Sequence, residues 1–257
     1  MGWLEGCKRI IGFDGCFLKG MCKGELLVAV GKNGNNQIFP IAWVVVETKH
    51  SWTWFIQHLS ADLELGDGFN LTVTSDSQKG LIPAIENLQC KDEFARLGML
   101  GRNICEYVLD YNKEVWVRAY FSPMSKCDVV KNNMCEAFHS WIVVPRHKSV
   151  ITILEEIRHK VMTRTVDMRR FAETLITDIS PIARMNLEEN KDAFRRCKVL
   201  WNGDNGFEIS NSDIRHIVDL REKTCTCRTW MLRGIPCPHA ICSLYHLGQN
   251  PDGLVEH

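Results

Sequence analysis

The chain has 257 residues, 45% hydrophobic and 24% charged, the make-up of a globular protein with room for one large or two smaller domains. Its 31 basic residues are balanced by 31 acidic ones, which excludes a protein that holds nucleic acid by overall positive charge and leaves only local contacts. No apolar run reaches the ~20 residues of a membrane span and no leader pattern opens the chain, so an intracellular setting is expected, with its 12 cysteines reduced.

Arg9 to Asp14 reads as a short apolar strand ending in a carboxylate, and Glu25 to Gly31 as a second strand. Lys32-Asn33-Gly34-Asn35-Asn36 is a turn signal, its Asn-Gly suited to positive φ. Gln37 to Glu47 makes a third strand, so the first three form an antiparallel meander. Ser51 caps a helix carrying Trp52, Phe55, Ile56, Leu59 and Leu63 on one face. Leu71 to Asp76 is a fourth strand, again ending in a carboxylate, and Leu81 to Leu88 a second helix with Pro83 in its first turn.

Three strands, helix, strand, helix is the order of a ribonuclease-H-like α/β domain, in which the first and fourth strands lie side by side. Asp14 and Asp76 would then face each other. Two carboxylates within a few ångströms supply the hard oxygen ligands of a magnesium site for phosphoryl transfer. A strand-ending Asp is common by itself; the matched positions on paired strands single these two out.

From Lys91 to Asn112 the pattern is mixed: Phe94, Leu97, Leu100 and Ile104 could line a helix that Gly98 and Gly101 weaken. Trp116 to Phe121 closes the region. A helix from about Asp128 to Trp141 follows, with Val129, Val130, Met134, Phe138 and Trp141 apolar. Lys148 to Arg170 is the longest helical pattern, and its basic excess reads as a solvated face or as a surface that tracks phosphates. Pro181 opens another helix ending near Cys197, Trp201 to Gly206 is a loop, and Phe207–Ile209 with His216–Leu220 forms a hairpin around Asn211-Ser212.

The hairpin leads into Cys225-Thr226-Cys227, and nine residues later into Cys237-Pro238-His239. This is a C-x-C-x9-C-x-H pattern, with a helix from Pro236 to about Leu247 carrying the last two ligands. Three thiolates and one imidazole fill the tetrahedral shell of zinc and leave no open position, so a structural zinc in a small ββα module is expected. Cys242 and His246 follow closely and either could replace a named ligand; His216 reads as a surface residue. The other eight cysteines (Cys7, Cys16, Cys22, Cys90, Cys105, Cys127, Cys135 and Cys197) lack ligand spacing and read as small buried hydrophobes.

Several ordered motifs resemble the plant Mutator-like element (MULE) transposases: Ile11 to Gly20 (IGFDGCFLKG), Asn35 to Ala42 (NNQIFPIA), Ser51 to Phe55 (SWTWF) and Ser75 to Gly80 (SDSQKG). Phe121-Ser122-Pro123, Lys126-Cys127-Asp128 and Asn132 to Phe138 (NNMCEAF) are similar as well, and the Cys3His clip resembles the family's C-terminal SWIM zinc finger. The resemblance implies a DDE-type site with Asp14 and Asp76 as its aspartates and Glu136 as the third acid; Glu86, Glu93, Glu106 and Glu114 are other acids available for that role. It implies a nuclear location, and DNA or a protein partner in place of a membrane or a small-molecule substrate.

The chain departs from the family pattern after Leu88, where no C-x-x-H motif follows Cys90 and a fifth strand is missing. A partial or decayed copy is therefore expected: an incomplete ribonuclease-H-like core over 1–90, a helical region over 91–198 and the zinc finger over 199–250. Two functions stay open. One is a catalytically inactive, transposase-derived zinc-binding protein; the other is an active DNA transposase that cleaves and joins strands with two magnesium ions.

Overall fold

The computed structural model describes residues 3, 6–20, 23–47, 51–65, 71–75, 81, 84, 126, 128, 133–201, 203, 206–212 and 214–256. They fall into two compact units: Met1–Asn33, Gln37–Tyr120 and Val130–Thr174 in the first, Gly34–Asn36, Phe121–Val129 and Leu175–His257 in the second. Among the described residues no helix is long and apolar enough to cross a membrane.

The first unit is built on strands β1 (Cys7–Phe17), β2 (Glu25–Asn33) and β3 (Ile38–Val46), then helix α1 (Ser51–Asp62) and strand β4 (Thr72–Ser75). The sheet order is β3-β2-β1-β4, antiparallel except for the parallel β1–β4 pair. The predicted meander is present. Its turn closes where Asn33 N–H donates to the Gln37 carbonyl at 3.0 Å, and Asn36 carries the positive φ of 55°. The sequence reading had placed that conformation at Asn-Gly; Asn tolerates it because its short side chain bonds locally.

Side chains alternate across a strand, so each face of the sheet can be read from the register. Ile11 and Phe13 share a face with Leu27 and Ala29, and bury there against Trp52, Phe55, Ile56 and Leu59 of α1. Phe13 meets the rings of Trp52 and Phe55 edge-on at 6.3 and 6.5 Å. Ile10, Gly12 and Asp14 point the other way with Leu26, Val28 and Val30. Helix α2 (Asn133–Ile142) covers that side, burying Met134, Cys135, Phe138 and Ile142. A sheet covered on both faces explains the unbroken apolar run of β2, Leu26 to Val30.

The predicted helix from Asp128 is shorter as described, because Asp128 lies outside α2 and its carboxylate accepts from Arg233 Nε at 2.6 Å. Leu81 and Ala84 are helical and buried; the rest of the predicted Leu81–Leu88 helix lies outside the described residues. So do the mixed Lys91–Asn112 segment and Trp116–Phe121.

Helix α3 (Val150–Glu173) starts where expected, with Ser149 Oγ accepting from Thr152 N–H, and runs slightly past Arg170. Only Ile153 and Ile157 are fully buried. Several basic residues on it or just before it are engaged locally: Arg158 on Glu155, Lys148 on Glu156, Lys160 on the Trp141 carbonyl, and Arg164 over the Trp141 ring at 5.6 Å. That pattern favours the solvated-face reading of the helix.

The second unit opens with α4 (Pro181–Ala193), capped by Ser180 and started by Pro181, whose missing N–H costs nothing in a first turn. Four antiparallel strands follow in sequence order: β5 (Cys197–Trp201), β6 (Gly206–Asn211), β7 (Ile214–Asp219) and β8 (Thr224–Cys225). The hairpin around Asn211-Ser212 is as predicted, with Ser212 at φ 57°. The expected ββα module is too small a description, however. Cys197–Trp201 adds an edge strand where a helix end and a loop were read, and two helices, α5 (Thr229–Arg233) and α6 (Pro238–His246), follow the sheet. The edge strand escaped notice because it does not alternate cleanly: Leu200 and Trp201 are both exposed.

Asp252 ties the end of the chain to α4 by accepting from Lys191 Nζ at 2.7 Å and Arg184 Nη1 at 2.9 Å. The Lys191 bond above all, then Arg184, holds its carboxyl below the usual range against the opposing effect of burial. A depressed carboxylate stabilises the fold above its ordinary pKa of 3.8, and the contribution is lost as pH falls through the lower folded value. Asp252→Asn should therefore cost about 1 kcal/mol at neutral pH. The gap to the parent in thermal melts should close below about pH 3; a gap that persists in acid would assign the loss to packing.

Candidate metal centre

Cys225 ends β8, placed by the Val218–Cys225 register and by the next residue, whose N–H donates to the Ile217 carbonyl at 3.0 Å. Thr226 Oγ1 returns the bond by accepting from Ile217 N–H at 3.1 Å. A tight turn follows. Arg228 takes a left-handed conformation, φ 59°, and donates its N–H to the Cys225 carbonyl at 2.8 Å. This turn brings Cys227 back beside Cys225.

Gly234 then ends α5 at φ 71°, where its N–H donates to the Trp230 carbonyl. A Cβ there would lie 3.0 Å from the Glu256 carbonyl oxygen, so both the backbone angle and the space ask for glycine. Cys237 is the N-cap of α6, Pro238 its first residue and His239 its second. The second ligand pair is thereby fixed at a helix start.

The four ligand atoms all lie within 4.8 Å of one another. His239 turns Nδ1 to the sulfurs, 3.7 Å from Cys225 Sγ and 3.9 Å from Cys237 Sγ. A tetrahedron with zinc–sulfur bonds of 2.3 Å and a zinc–nitrogen bond of 2.0–2.1 Å has edges of about 3.6–3.8 Å. Donor set and spacing both fit zinc.

The electrostatics agree. Hydrogen bonds from Cys225 and then Cys237 pull the Cys227 thiol down. The Cys227 contact and burial push Cys225 up to about 12 against a lowering by Cys237, and Cys225 and Cys227 together with burial raise Cys237. A dication would be needed to hold all three sulfurs as thiolates.

Neither Cys242 nor His246 joins the cluster. Cys242 Sγ faces the Cys197 carbonyl at 3.8 Å, and His246 stacks edge-on against Trp201. His216 is not the surface residue expected: its ring lies 4.0 Å from that of His239, and its Nδ1 is 3.3 Å from Thr226 Oγ1. It pairs with Ile209 across the hairpin, so the alternation that buries Ile209 and Val218 also carries His216 inward. That parity was readable from the sequence once the register was known.

In the first unit Asp14 is only 5% exposed. Its Oδ1 accepts from Gly15 N–H at 2.7 Å, and its Oδ2 lies 3.6 Å from Nδ1 of His139 on α2. The carboxyl of Glu25 is raised, by burial first and then by the charge on Asp14. Glu136 is exposed in the first turn of α2, three residues before His139. Asp76, Glu86, Glu93, Glu106 and Glu114 lie outside the described residues. The parallel register pairs Phe13 with Ser75, the last described residue of β4. His139 was not read as a site residue, although the i, i+3 spacing from Glu136 was the available signal.

Of the eight described cysteines, all free thiols, Cys135 is buried and Cys7, Cys16 and Cys197 are half-buried, so the small-hydrophobe reading holds fully only for the first of these four. No curated protein matches the chain at a significant level. The family model of the MULE transposase domain matches residues 10–91, and that of the SWIM zinc finger matches residues 200–248. The sheet that carries Asp14 and the cluster that gathers Cys225, Cys227, Cys237 and His239 thus fall in two matched parts, so the chain carries a MULE transposase domain and, C-terminal to it, a SWIM zinc finger.

Proposed function

We propose that the chain is a catalytically inactive, transposase-derived protein whose SWIM finger holds one structural zinc through Cys225, Cys227, Cys237 and His239. The observation that carries the zinc reading is the convergence of those four ligand atoms within 4.8 Å. The finger would then contact DNA or a protein partner, in the nucleus where its family acts. The division into a core over 1–90, a helical region over 91–198 and a finger over 199–250 belongs to the same reading, as does a ribonuclease-H-like fold for the core. Supporting that fold are the β3-β2-β1-β4 order, with β4 parallel to β1, and the helices on both faces. Supporting inactivity is the sequence after Leu88, in which no C-x-x-H motif follows Cys90 and no fifth strand is read. A site loose by ~1 Å loses most of its rate.

The second reading is an active DDE transposase with Asp14, Asp76 and Glu136 around two magnesium ions. It is favoured by the burial of Asp14 and by a register that ends one residue short of Asp76. One preparation decides between them. The inactive reading expects about one zinc per chain, lost in Cys237→Ser, and no magnesium-dependent nicking of duplex DNA. Nicking that Asp76→Asn abolishes would establish the enzyme instead. A folded, zinc-free chain would overturn the zinc assignment itself.

A further inference from the structure

We infer that His216 is a positioning residue of the zinc centre: its ring stacks on the imidazole of His239 and holds that ligand turned toward the sulfurs. The inference rests on the zinc reading of the finger, and it concerns a residue outside the C-x-C-x9-C-x-H set.

The starting point is the second nitrogen of the ligand. His239 offers Nδ1 to the sulfurs, which leaves Nε2 to carry the ring proton. A metal-bound imidazole ordinarily donates that N–H to a carboxylate, a carbonyl or water, and the bond fixes the plane of the ring. His239 Nε2 is buried and has no hydrogen-bond partner among the described residues. The start of α6 fixes the backbone of His239, but its side-chain torsions have to be set by packing. The contact that can set them is His216, whose ring centroid lies 4.0 Å away with the two planes 33° apart.

His216 is itself held at two points. Its backbone faces Ile209 in the β6–β7 register, which aims the side chain to the same side as Ile209 and Val218. Its Nδ1 lies 3.3 Å from Thr226 Oγ1. Thr226 stands between the two cysteines of the first ligand pair. Its Oγ1 already accepts from Ile217 N–H at 3.1 Å, so its own hydrogen can go to His216 Nδ1. One imidazole thereby joins β7, the Cys225–Cys227 turn and the ligand on α6.

Alanine at 216 would remove both the stack and the Thr226 bond, and leave the ligand ring free to turn. Phenylalanine would remove the Thr226 bond alone and keep a flat ring against His239. The pair of variants separates orientation by stacking from support by hydrogen bonding.

The test uses the full-length chain loaded with zinc and follows release of the metal to an excess of a chromogenic chelator at neutral pH. His216→Ala should release zinc about tenfold faster or more, and His216→Phe at close to the parent rate. Ile217→Ala, on the exposed side of the same strand, should release it as the parent does. With Co2+ in place of zinc, His216→Ala should shift the visible ligand-field bands, because the nitrogen donor changes direction, and leave the thiolate-to-cobalt charge-transfer band. Parent-like release or unshifted bands in His216→Ala, release from His216→Phe as fast as from His216→Ala, or equal acceleration in Ile217→Ala would each overturn the role. Should His216→Ala take up no zinc, His216→Phe decides alone: parent-like release upholds the stack and rapid release removes it. A parent chain that holds no zinc refutes the zinc reading and this role with it, whereas a zinc-loaded parent matched by His216→Ala refutes the role alone.

Discussion

Stripping zinc from the chain, by a chelator or by Cys237→Ser, is expected to unfold the C-terminal module while leaving the first unit folded. The module's own core explains why. One cluster of it is Phe207, Ile209, Val218, Cys225, Trp230, Cys237, Ala240 and Cys242, two of these eight being ligands; Leu232, Ile235, Ile241 and Leu244 are buried as well. Trp230, 1% exposed, is the one large aromatic besides Phe207. A core of that size supplies only a few kcal/mol, less than the entropy of ordering four strands and two short helices. Zinc held by three thiolates and an imidazole contributes apparent binding free energy of about 10–16 kcal/mol. Helix α5 is five residues long and α6 nine, too short to persist without that anchor. The first unit has its own core around Phe13, Trp52, Phe55 and Ile56, with none of the four ligands in it. Hydrogen exchange read by peptide separates the two outcomes. Protection across 206–247 should vanish on zinc removal and protection across β1, β2 and β3 should remain. Full protection of the module in a zinc-free chain would refute a structural role for the metal.

What could be read from the sequence followed how sharply each feature is encoded. The Cys3His clip was legible because four ligands in paired spacing state their chemistry outright, and the structure brings all four together. The meander, α1 and α3 were legible because their apolar periods are long and their turns and caps, Asn33 to Asn36 and Ser149, use residues with a local mechanism. The edge strand β5 was not legible, since Val199, Leu200 and Trp201 are consecutive apolar residues on a strand that buries little. Its pairing with β6 fixes it, a tertiary fact that no window of five residues contains. His216 was misjudged for the same reason: its partner across the hairpin decides its side. The His139–Asp14 approach joins residues 125 positions apart and depends on α2 lying over the sheet, which sequence spacing does not state. Asp76 and the alternative acids lie outside the described residues.

Phe138→Ala is expected to be the most damaging single truncation in the first unit, at about 3–5 kcal/mol. Its ring is fully buried and lies 6.0 Å from that of Trp141, in the centre of α2. Ten residues of helix do not hold together in water by propensity alone, so α2 exists because Met134, Cys135, Phe138 and Ile142 pack on the face of the sheet that carries Ile10, Leu26 and Val28. Removing the largest of these leaves a cavity between helix and sheet. The neighbouring side chain then serves as the control. His139 points at Asp14 without making a hydrogen bond, so His139→Ala should cost about 1 kcal/mol or less, while Phe138→Leu, which keeps most of the volume, should cost less than about 1.5 kcal/mol. Denaturant unfolding followed in the first unit gives all three values. A Phe138→Ala variant far less stable than Phe138→Leu, with His139→Ala near the parent, would place the energy of α2 in Phe138. If Phe138→Ala were no worse than Phe138→Leu, the helix would be held by something other than its apolar face, and the positioning of His139 over Asp14 would need another cause.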